Sequence, residues 1–293
     1  MQKISAQDTL VKTEEILQKP KLLFTRPLSK NVKMRYYFAW IDSVCAHYDS
    51  LLNYPINEYL LVRANPWIVD TLANTDYYIQ KKRGNFIEDQ KEMVILAKGD
   101  SLLVPDSLMA DSISKLLKNT VIDVNIPEFT LRIMEYNKIV RECLVRVGRQ
   151  KRQFLKTAGR EVYLQTQTGR GEIVRVERDP YYVNPTNGKR YYATKRDDGK
   201  YTKMPRIPWL EPELDGERPG TLIHPTTNPE TLGKPYSHGC VGMNENDAWY
   251  VYYSAPVGTK VVFRYNLLLV NAQGDTIKLK DIYHQNEKSK KPE

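Results

Sequence analysis

The sequence has few of the residues that mark specialised protein classes. Its 293 residues include 3 cysteines and 4 histidines. No CxxC pair is present, so the sequence predicts neither a disulfide framework nor a cysteine-rich zinc site. It lacks any run of about 18 apolar residues, which excludes a predicted transmembrane helix. Its first residues show no apolar signal-peptide core, so no export signal is visible.

Positive charge, by contrast, is abundant. The formal net charge is +9 and the isoelectric point is about 9.2. Such a chain favours anionic partners, such as nucleic acid, a membrane surface or an acidic polymer. The basic residues are spread through the chain and match no nucleic-acid-binding motif, so no nucleic-acid partner is predicted. For most of them we expect a solvated basic surface.

Residues 1–117 are predicted to form an N-terminal domain of mixed helices and strands. A helix is predicted around Cys45, where apolar residues recur at helical spacing. Residues 58–74 predict a short strand, a turn at Asn65 and Pro66, and a helix that begins at the proline.

A strand pair is predicted around the turn at residues 98–100, within EMVILAKGDSLLVPDS. The resulting strand–helix–strand order faintly resembles a LysM glycan-binding module. We interpret this N-terminal part as a structural domain.

Between residues 118 and 265 the pattern changes to β-structure. Apolar and polar residues alternate in VIDVNI, FTLRI and KIVRECLVRVG, which short turns join. This period of two predicts an antiparallel meander. A short helix is predicted after Cys240, with Asn244 as its N-cap and Asp247 three positions on. The predicted fold class is α+β, with a mainly antiparallel, sandwich- or barrel-like β domain.

Residues 177–220 interrupt this pattern with prolines. Within them, Asn187-Gly188 between two tyrosine-containing runs is a strong signal for a β-hairpin. We predict a long excursion, with a hairpin flap, inserted between core strands. Residues 266–293 are predicted as a C-terminal strand extension and a disordered basic tail.

Two reactive residues lie close together in HPTTNPETLGKPYSHGC, which runs from His224 to Cys240. A cysteine nucleophile acts as a thiolate, and a neighbouring histidine can accept its proton. His224 ends the apolar run TLIH, so a strand can fix its side chain. Gly239 permits a tight turn before Cys240. The backbone N–H groups of Gly239 and Cys240 are candidate donors to a developing oxyanion.

Spacing alone leaves other interpretations of these residues open. A histidine at a strand end is usually a satisfied polar residue, and a cysteine after glycine is usually buried. Metal binding by His224, His238 and Cys240 is a further option, but no fourth ligand with zinc-like spacing accompanies them. Cys45 and Cys143 are predicted to be small core residues.

The whole segment IHPTTNPETLGKPYSHGCVGMNENDA resembles the signature of the YkuD-type L,D-transpeptidases, which cross-link peptidoglycan. The similarity includes the histidine at the strand end, the intervening Asn-Pro and Gly233, the complete Ser-His-Gly-Cys turn, and the asparagine-led helix. TQTG at residues 166–169 and the upstream strands also fit. The resemblance therefore implies a YkuD-type catalytic domain over residues 118–265.

This resemblance implies acyl transfer through a thioester on Cys240. The thiolate is expected to attack the third residue of a peptidoglycan stem peptide, with His224 as the base. Ser237, His238 and Gly239 are expected to support the turn and the oxyanion. No metal or organic cofactor is needed, because the thioester carries the intermediate. The family also implies a periplasmic or cell-envelope location, beside an anionic cell-wall polymer.

Two positions depart from the family pattern. Pro225 replaces the glycine that is common after the catalytic histidine. Gly242 stands where many members have an arginine that is expected to hold a substrate carboxylate or to order the site. Other arginines are candidates to compensate, and the sequence does not choose among Arg206, Arg218 and Arg264.

Aromatic residues of the excursion are candidates for substrate binding. We expect Tyr182, Tyr192 and Trp209 to contact the glycan or the stem peptide. The alternative is a hairpin packed on the domain's own core.

Three other functions fit parts of the pattern. An L,D-carboxypeptidase would use the same nucleophile, with water as the acceptor. A non-catalytic peptidoglycan-binding envelope protein would retain the fold, although the pair of Cys240 and His224 argues against it. A general cysteine protease would also use a cysteine and a histidine, but the sequence has no other papain-like or caspase-like signature.

Overall fold

The computed structural model describes residues 24–270 and 273–285. Its helices are α1 (Tyr37–Asp49), α2 (Glu58–Ala64), α3 (Trp67–Ala73), α4 (Tyr77–Lys82), α5 (Ser107–Lys118) and α6 (Glu245–Ser254). Its strands are, in chain order, β1 (Phe24–Pro27), β2 (Val32–Lys33), β3 (Val94–Leu96), β4 (Ser101–Val104), β5 (Thr120–Asn125), β6 (Thr130–Glu135), β7 (Lys138–Leu144), β8 (Val147–Gly148), β9 (Arg152–Leu155), β10 (Arg160–Tyr163), β11 (Gly169–Glu177), β12 (Tyr182–Val183), β13 (Arg190–Tyr191), β14 (Ala193–Lys195), β15 (Tyr201–Lys203), β16 (Trp209–Leu214), β17 (Ile223–Pro225), β18 (Pro235–Ser237), β19 (Val241–Met243), β20 (Lys260–Arg264), β21 (Leu268–Val270) and β22 (Thr276–Lys278). The tail predicted to be disordered falls mostly on residues 286–293, outside the described residues.

The part of the chain after α5 is built around an eight-stranded sheet. Its strand order is β19-β17-β16-β11-β20-β5-β6-β7. Most neighbouring pairs are antiparallel, whereas β17–β19 and β20–β5 are parallel. Just beyond β7, Arg146 exchanges two backbone hydrogen bonds with Gly242 of β19, so the sheet nearly closes on itself. The predicted α+β class, with a mainly antiparallel, barrel-like β domain and a short helix after Cys240, is confirmed.

The excursion predicted over residues 177–220 is shorter than expected. The hairpins β12–β13 and β14–β15 lie outside the main sheet, and the first turns at Asn187-Gly188 as predicted. The strand β16, however, lies inside the sheet between β11 and β17. Its Pro212 cannot donate a backbone hydrogen bond, and the register of β11 shifts between Ile173 and Arg175 opposite this residue.

The region before the sheet contains α1–α5 and β1–β4. The strand predicted after Glu58 is wrong, because this segment forms α2. The side chain of Asn57 caps α2 by accepting the backbone N–H of Leu60 at 3.0 Å. Three consecutive apolar residues alone do not distinguish a buried strand from a short helix.

The strands around the turn at residues 98–100 form as predicted, but they do not pair with each other. β3 pairs with β2, and β4 pairs with β1. The turn itself is bound by the earlier chain, since Leu28 donates to the carbonyl of Asp100 and accepts from Gly99. The predicted domain boundary at residues 117 and 118 stays a prediction; α5 ends at Lys118 and the sheet begins at Thr120.

Helix α6 is buried between the sheet and the N-terminal helices. It contacts α2 and α3 on one side and β16 and β17 on the other. Its Trp249 packs against Tyr37 and Phe38 of α1, so one apolar core spans both parts of the chain. Asn244 is the N-cap residue, but its side chain makes no capping hydrogen bond. The predicted capping box is absent because Asp247 pairs with Arg141 instead, at 2.7 Å.

A buried ion pair fixes the hairpin β14–β15 to this helix and to the N-terminal region. Arg196 pairs with Glu245, the first residue of α6, and their side chains are 0% and 1% exposed. Arg196 also donates to Thr202 Oγ1 at 2.9 Å and to Gln90 Oε1 at 3.0 Å. Glu245 accepts from Gln90 Nε2 at 2.8 Å and from the backbone N–H of Tyr77 at 3.0 Å. Both charges therefore have several protein partners.

Candidate active site

The predicted base lies on β17, and the predicted nucleophile immediately precedes the neighbouring parallel strand β19. His224 lies on β17 opposite Gly242 of β19, and Cys240 precedes Gly242 by two residues. Side chains two residues apart on a strand share one face of the sheet. Cys240 and His224 therefore project from the same face, and both are half-buried. The structure thus places the two predicted catalytic residues on one face of the sheet, and their catalytic roles stay predictions.

A backbone carbonyl orients the imidazole of His224. Its Nδ1 lies 2.8 Å from the carbonyl oxygen of Pro225. Because a carbonyl only accepts hydrogen bonds, Nδ1 carries the proton and Nε2 keeps its lone pair. The proline that replaces the usual glycine still supplies this carbonyl, and it lacks only the backbone N–H.

Burial keeps this imidazole neutral. Desolvation, followed by the positive charge of Arg146, lowers the pKa of His224 to about 4. At neutral pH the side chain is therefore unprotonated and can accept a proton. This is the state that a general base requires.

The thiol of Cys240 is also neutral at rest. Burial raises its pKa, while a hydrogen bond from the backbone of Leu222 and the charge of Arg146 act in the opposite direction. The resting site thus has a neutral thiol and a neutral imidazole on one face of the sheet.

Ser237 and Gly239 shape the turn that leads into the nucleophile. Ser237 donates from Oγ to the carbonyl of Cys240 at 2.6 Å and accepts the backbone N–H of Gly239 at 3.2 Å. Gly239 has φ +115°, a backbone conformation that favours glycine. Since its N–H is bound within the turn, the oxyanion role expected for Gly239 stays a prediction.

A layer of residues that the sequence did not reveal braces this turn. Thr166 donates from Oγ1 to the carbonyl of Gly239 at 2.9 Å and accepts the N–H of Gly148 at 2.8 Å. Tyr283 donates to the carbonyl of Gly148 at 2.6 Å. Thr166 begins the TQTG motif, which was its only signal. Nothing in the sequence around Tyr283 pointed to the site.

His238 lies at the cationic edge of the site. Its Nε2 is 3.5 Å from Nη2 of Arg149. Burial lowers the pKa of His238, and the charges of Arg149, Arg146 and Lys151 add to this effect. The supporting role of His238 stays a prediction.

The three predicted substrate-binding aromatics occupy different environments. Tyr182 is half-buried and donates to the carbonyl of Pro205 at 3.0 Å, so it helps to fold the excursion. Tyr192 is 67% exposed. Trp209 begins β16, with the guanidinium of Arg175 4.9 Å from its ring. Their roles in binding stay predictions.

A different tyrosine of the excursion interacts with the site. Tyr191 and Arg146 influence each other's pKa electrostatically, which places the hairpin β12–β13 beside the catalytic strands. Within the described residues, no group of three or more His, Cys, Asp and Glu side chains is arranged to hold a metal ion. None of the described helices has the length and apolar character of a membrane span.

Solved structures of L,D-transpeptidases resemble parts of this chain. One from Mycobacterium tuberculosis H37Rv is 16% identical with a TM-score of 0.34, and the match covers 50% of this chain and 57% of that one. One from Xylanimonas cellulosilytica is 13% identical with a TM-score of 0.37, and the match covers 84% of this chain and 100% of that one. The chain thus spans little more than half the length of the mycobacterial enzyme.

Sequence comparison finds two similarities to L,D-transpeptidases. Over 166 residues the chain is 28% identical to a Bacillus licheniformis protein named "Putative L,D-transpeptidase YkuD", and the match covers 57% of this chain and 75% of that protein. Residues 119–263 match the family model of the YkuD L,D-transpeptidase catalytic domain. This stretch, just under half of the chain, contains both His224 and Cys240 and is similar to the YkuD family of L,D-transpeptidase catalytic domains.

Proposed function

We propose that this chain is a peptidoglycan L,D-transpeptidase with Cys240 as its nucleophile and His224 as its base. The observation that carries the proposal is the shared sheet face of these two residues, inside a domain of the L,D-transpeptidase family. The hydrogen bond between His224 Nδ1 and Pro225 adds support, because it leaves Nε2 free to accept the thiol proton.

The proposed reaction is an acyl transfer in two steps. The sulfur of Cys240 attacks the carbonyl carbon of the third stem residue while His224 takes the thiol proton. A C–S bond forms, the amide C–N bond breaks, and His224 returns the proton to the departing D-alanine amine. An acceptor amine then attacks the thioester and loses a proton through His224, and the released sulfur of Cys240 is reprotonated. No redox change or cofactor is required.

The surroundings of the site fit an anionic substrate. The charged groups that influence His224, His238 and Cys240 are the cations Arg146, Arg149 and Lys151. Stem peptides and cell-wall polymers carry carboxylates or other negative groups, which such a site attracts. We propose the cell envelope as the place where the chain works.

Incubation of the purified protein with a stem tetrapeptide tests this proposal. Mass spectrometry should show an acylated Cys240, released D-alanine and a cross-linked dimer. Cys240→Ser should remove all three products, whereas Cys45→Ser, with the change on α1, should retain them. D-alanine release without any dimer would indicate an L,D-carboxypeptidase instead. A Cys240→Ser variant that still turns over would refute the mechanism.

A further inference from the structure

Gly242 leaves room for a side chain that comes from the segment between β7 and β8. Its backbone does not adopt the left-handed conformation that favours glycine. A Cβ atom placed on Gly242 would instead lie 2.7 Å from Nε, 3.0 Å from Cγ and 3.3 Å from Cδ of Arg146. Glycine at this position therefore matters for space rather than for backbone geometry, since a side chain here would displace Arg146 from its present position. The absent side chain makes room for the stem of Arg146.

Arg146 lies in the same cross-strand row as the catalytic base. Its backbone N–H donates to the carbonyl of Gly242 at 2.8 Å, and the N–H of Gly242 donates back at 3.0 Å. On its other side Gly242 is opposite His224. Residues opposite one another on adjacent strands project from the same face of a sheet. Arg146 thus faces the side of the sheet from which His224 and Cys240 project.

The guanidinium of Arg146 has no carboxylate partner among the described residues. Nη1 donates to Thr231 Oγ1 at 3.2 Å, and Nε is buried without a hydrogen-bond partner. Burial lowers the pKa of Arg146, which shows the unfavourable desolvation of this charge. Arg146 is half-buried, and a desolvated cation without an anionic partner is destabilising unless a ligand anion compensates it.

The three arginines considered from the sequence are placed elsewhere. Arg264 makes two hydrogen bonds of 2.8 Å to the carboxylate of Asp123. Arg206 forms an ion pair of 2.9 Å with Asp179. Arg218 is exposed. None of the three is among the charges that influence Cys240 or His224, whereas Arg146 influences both.

We propose that Arg146 is a specificity-determining residue that binds the terminal carboxylate of the donor peptide, in place of the arginine that position 242 lacks. The inference rests on the proposed function for the identity of its ligand. The chemistry is a charge-assisted hydrogen bond between guanidinium and carboxylate, for which the planar guanidinium is well suited.

A pair of donors tests this assignment. One is the stem tetrapeptide with a free terminal carboxylate, and the other is the same peptide with a terminal amide. The wild-type protein should be acylated by the acid with a KM about ten- to a hundredfold below that for the amide. Arg146→Met should raise the KM for the acid to that for the amide, with a much smaller effect on kcat. Arg152→Met, which removes a cation stacked on Tyr163, should leave the preference intact.

Moving the arginine provides a rescue test. Gly242→Arg alone should impair donor binding, because the new side chain competes with Arg146 for one volume. The double variant Arg146→Gly/Gly242→Arg should recover preference for the acid. An Arg146→Met variant that still prefers the acid would overturn the proposal, whatever the rescue shows.

A second measurement needs no turnover and separates this inference from the proposed function. N-acetyl-D-alanine should slow the alkylation of Cys240 by iodoacetamide in wild type but not in Arg146→Met, and N-acetyl-D-alaninamide should protect neither. If neither peptide acylates the wild type yet this protection appears, the transpeptidase proposal fails and the carboxylate site stands. Equal protection of wild type and Arg146→Met would refute the carboxylate site.

Discussion

The two ends of the segment 242–245 contact arginines with opposite kinds of partner. At Glu245, Arg196 is paired with a carboxylate and has further hydrogen bonds to Gln90 and Thr202. At Gly242, Arg146 has a hydroxyl partner but no carboxylate among the described residues. Both guanidinium groups are desolvated, yet only one is neutralised.

The difference separates structural charge from functional charge. A fully partnered buried ion pair joins elements and fixes how they are arranged, which is what Arg196 does for the excursion, α6 and the N-terminal region. A desolvated cation beside a nucleophile, without a protein anion, is arranged to receive charge from a ligand. A desolvated arginine therefore indicates a structural role when a protein carboxylate neutralises it, and a ligand-binding role when none does.

Breaking the paired arginine should have the largest effect on stability. Arg196→Met leaves Glu245 buried without its ion-pair partner, and we expect a loss of about 3–5 kcal/mol in the free energy of unfolding. Urea denaturation measures this change. Lys33→Met is the matched control, because its ion pair with Glu92 is exposed at both ends, 47% and 46%, and should lose at most about 1 kcal/mol. Equal losses of unfolding free energy in the two variants would contradict the structural role assigned to the buried ion pair.

Removing the arginine without a carboxylate partner should change stability far less. Arg146→Met replaces a desolvated charge with an apolar side chain, so the free energy of unfolding should change by no more than about 1 kcal/mol, or increase. Donor binding should nevertheless weaken. If urea denaturation showed a loss as large as that of Arg196→Met, Arg146 would be a structural residue.

The pH dependence of thiol alkylation should report the charge of Arg146. Burial raises the pKa of Cys240, so the rate of reaction with iodoacetamide should rise with pH to a midpoint above the ordinary value of about 8.5. The positive charge of Arg146 lowers this pKa. Arg146→Met should therefore move the midpoint to higher pH, and Arg152→Met should not. A shift to lower pH would contradict the proximity of Arg146 to the sulfur.

The smallest effect is expected from the hairpin that approaches Arg146. Tyr191→Ala should weaken donor binding by roughly 1 kcal/mol, about fivefold in KM, because one aromatic contact beside the site is lost. Alkylation of Cys240 by a small reagent should be unchanged. Tyr192→Ala is the comparison variant, since this neighbour is 67% exposed. A larger effect from Tyr192→Ala would favour the substrate contact predicted for Tyr192 over one at Tyr191.

Local pattern explains which parts of the structure the sequence predicted. Alternation marked β5, β6 and β7, and Asn187-Gly188 marked the turn of the hairpin β12–β13. The error in strand pairing arose because distant chain segments compete for the same backbone groups. The turn at residues 98–100 was identified correctly, but β1 and β2 pair with the strands that it joins.

The sequence by itself determined the turn that leads into Cys240. Ser237, Gly239 and Cys240 interact within a few residues of one another, and the turn geometry follows from a short hydroxyl side chain and a glycine. Only the tertiary structure decided which cation lies close enough to influence the pKa of Cys240. Arg146 and Gly242 are far apart in the chain, and they meet because the sheet curls until the segment after β7 reaches β19. The near-closure of the sheet places the side chain of Arg146 over Gly242, which has no side chain of its own. No local sequence pattern around either residue predicts this contact.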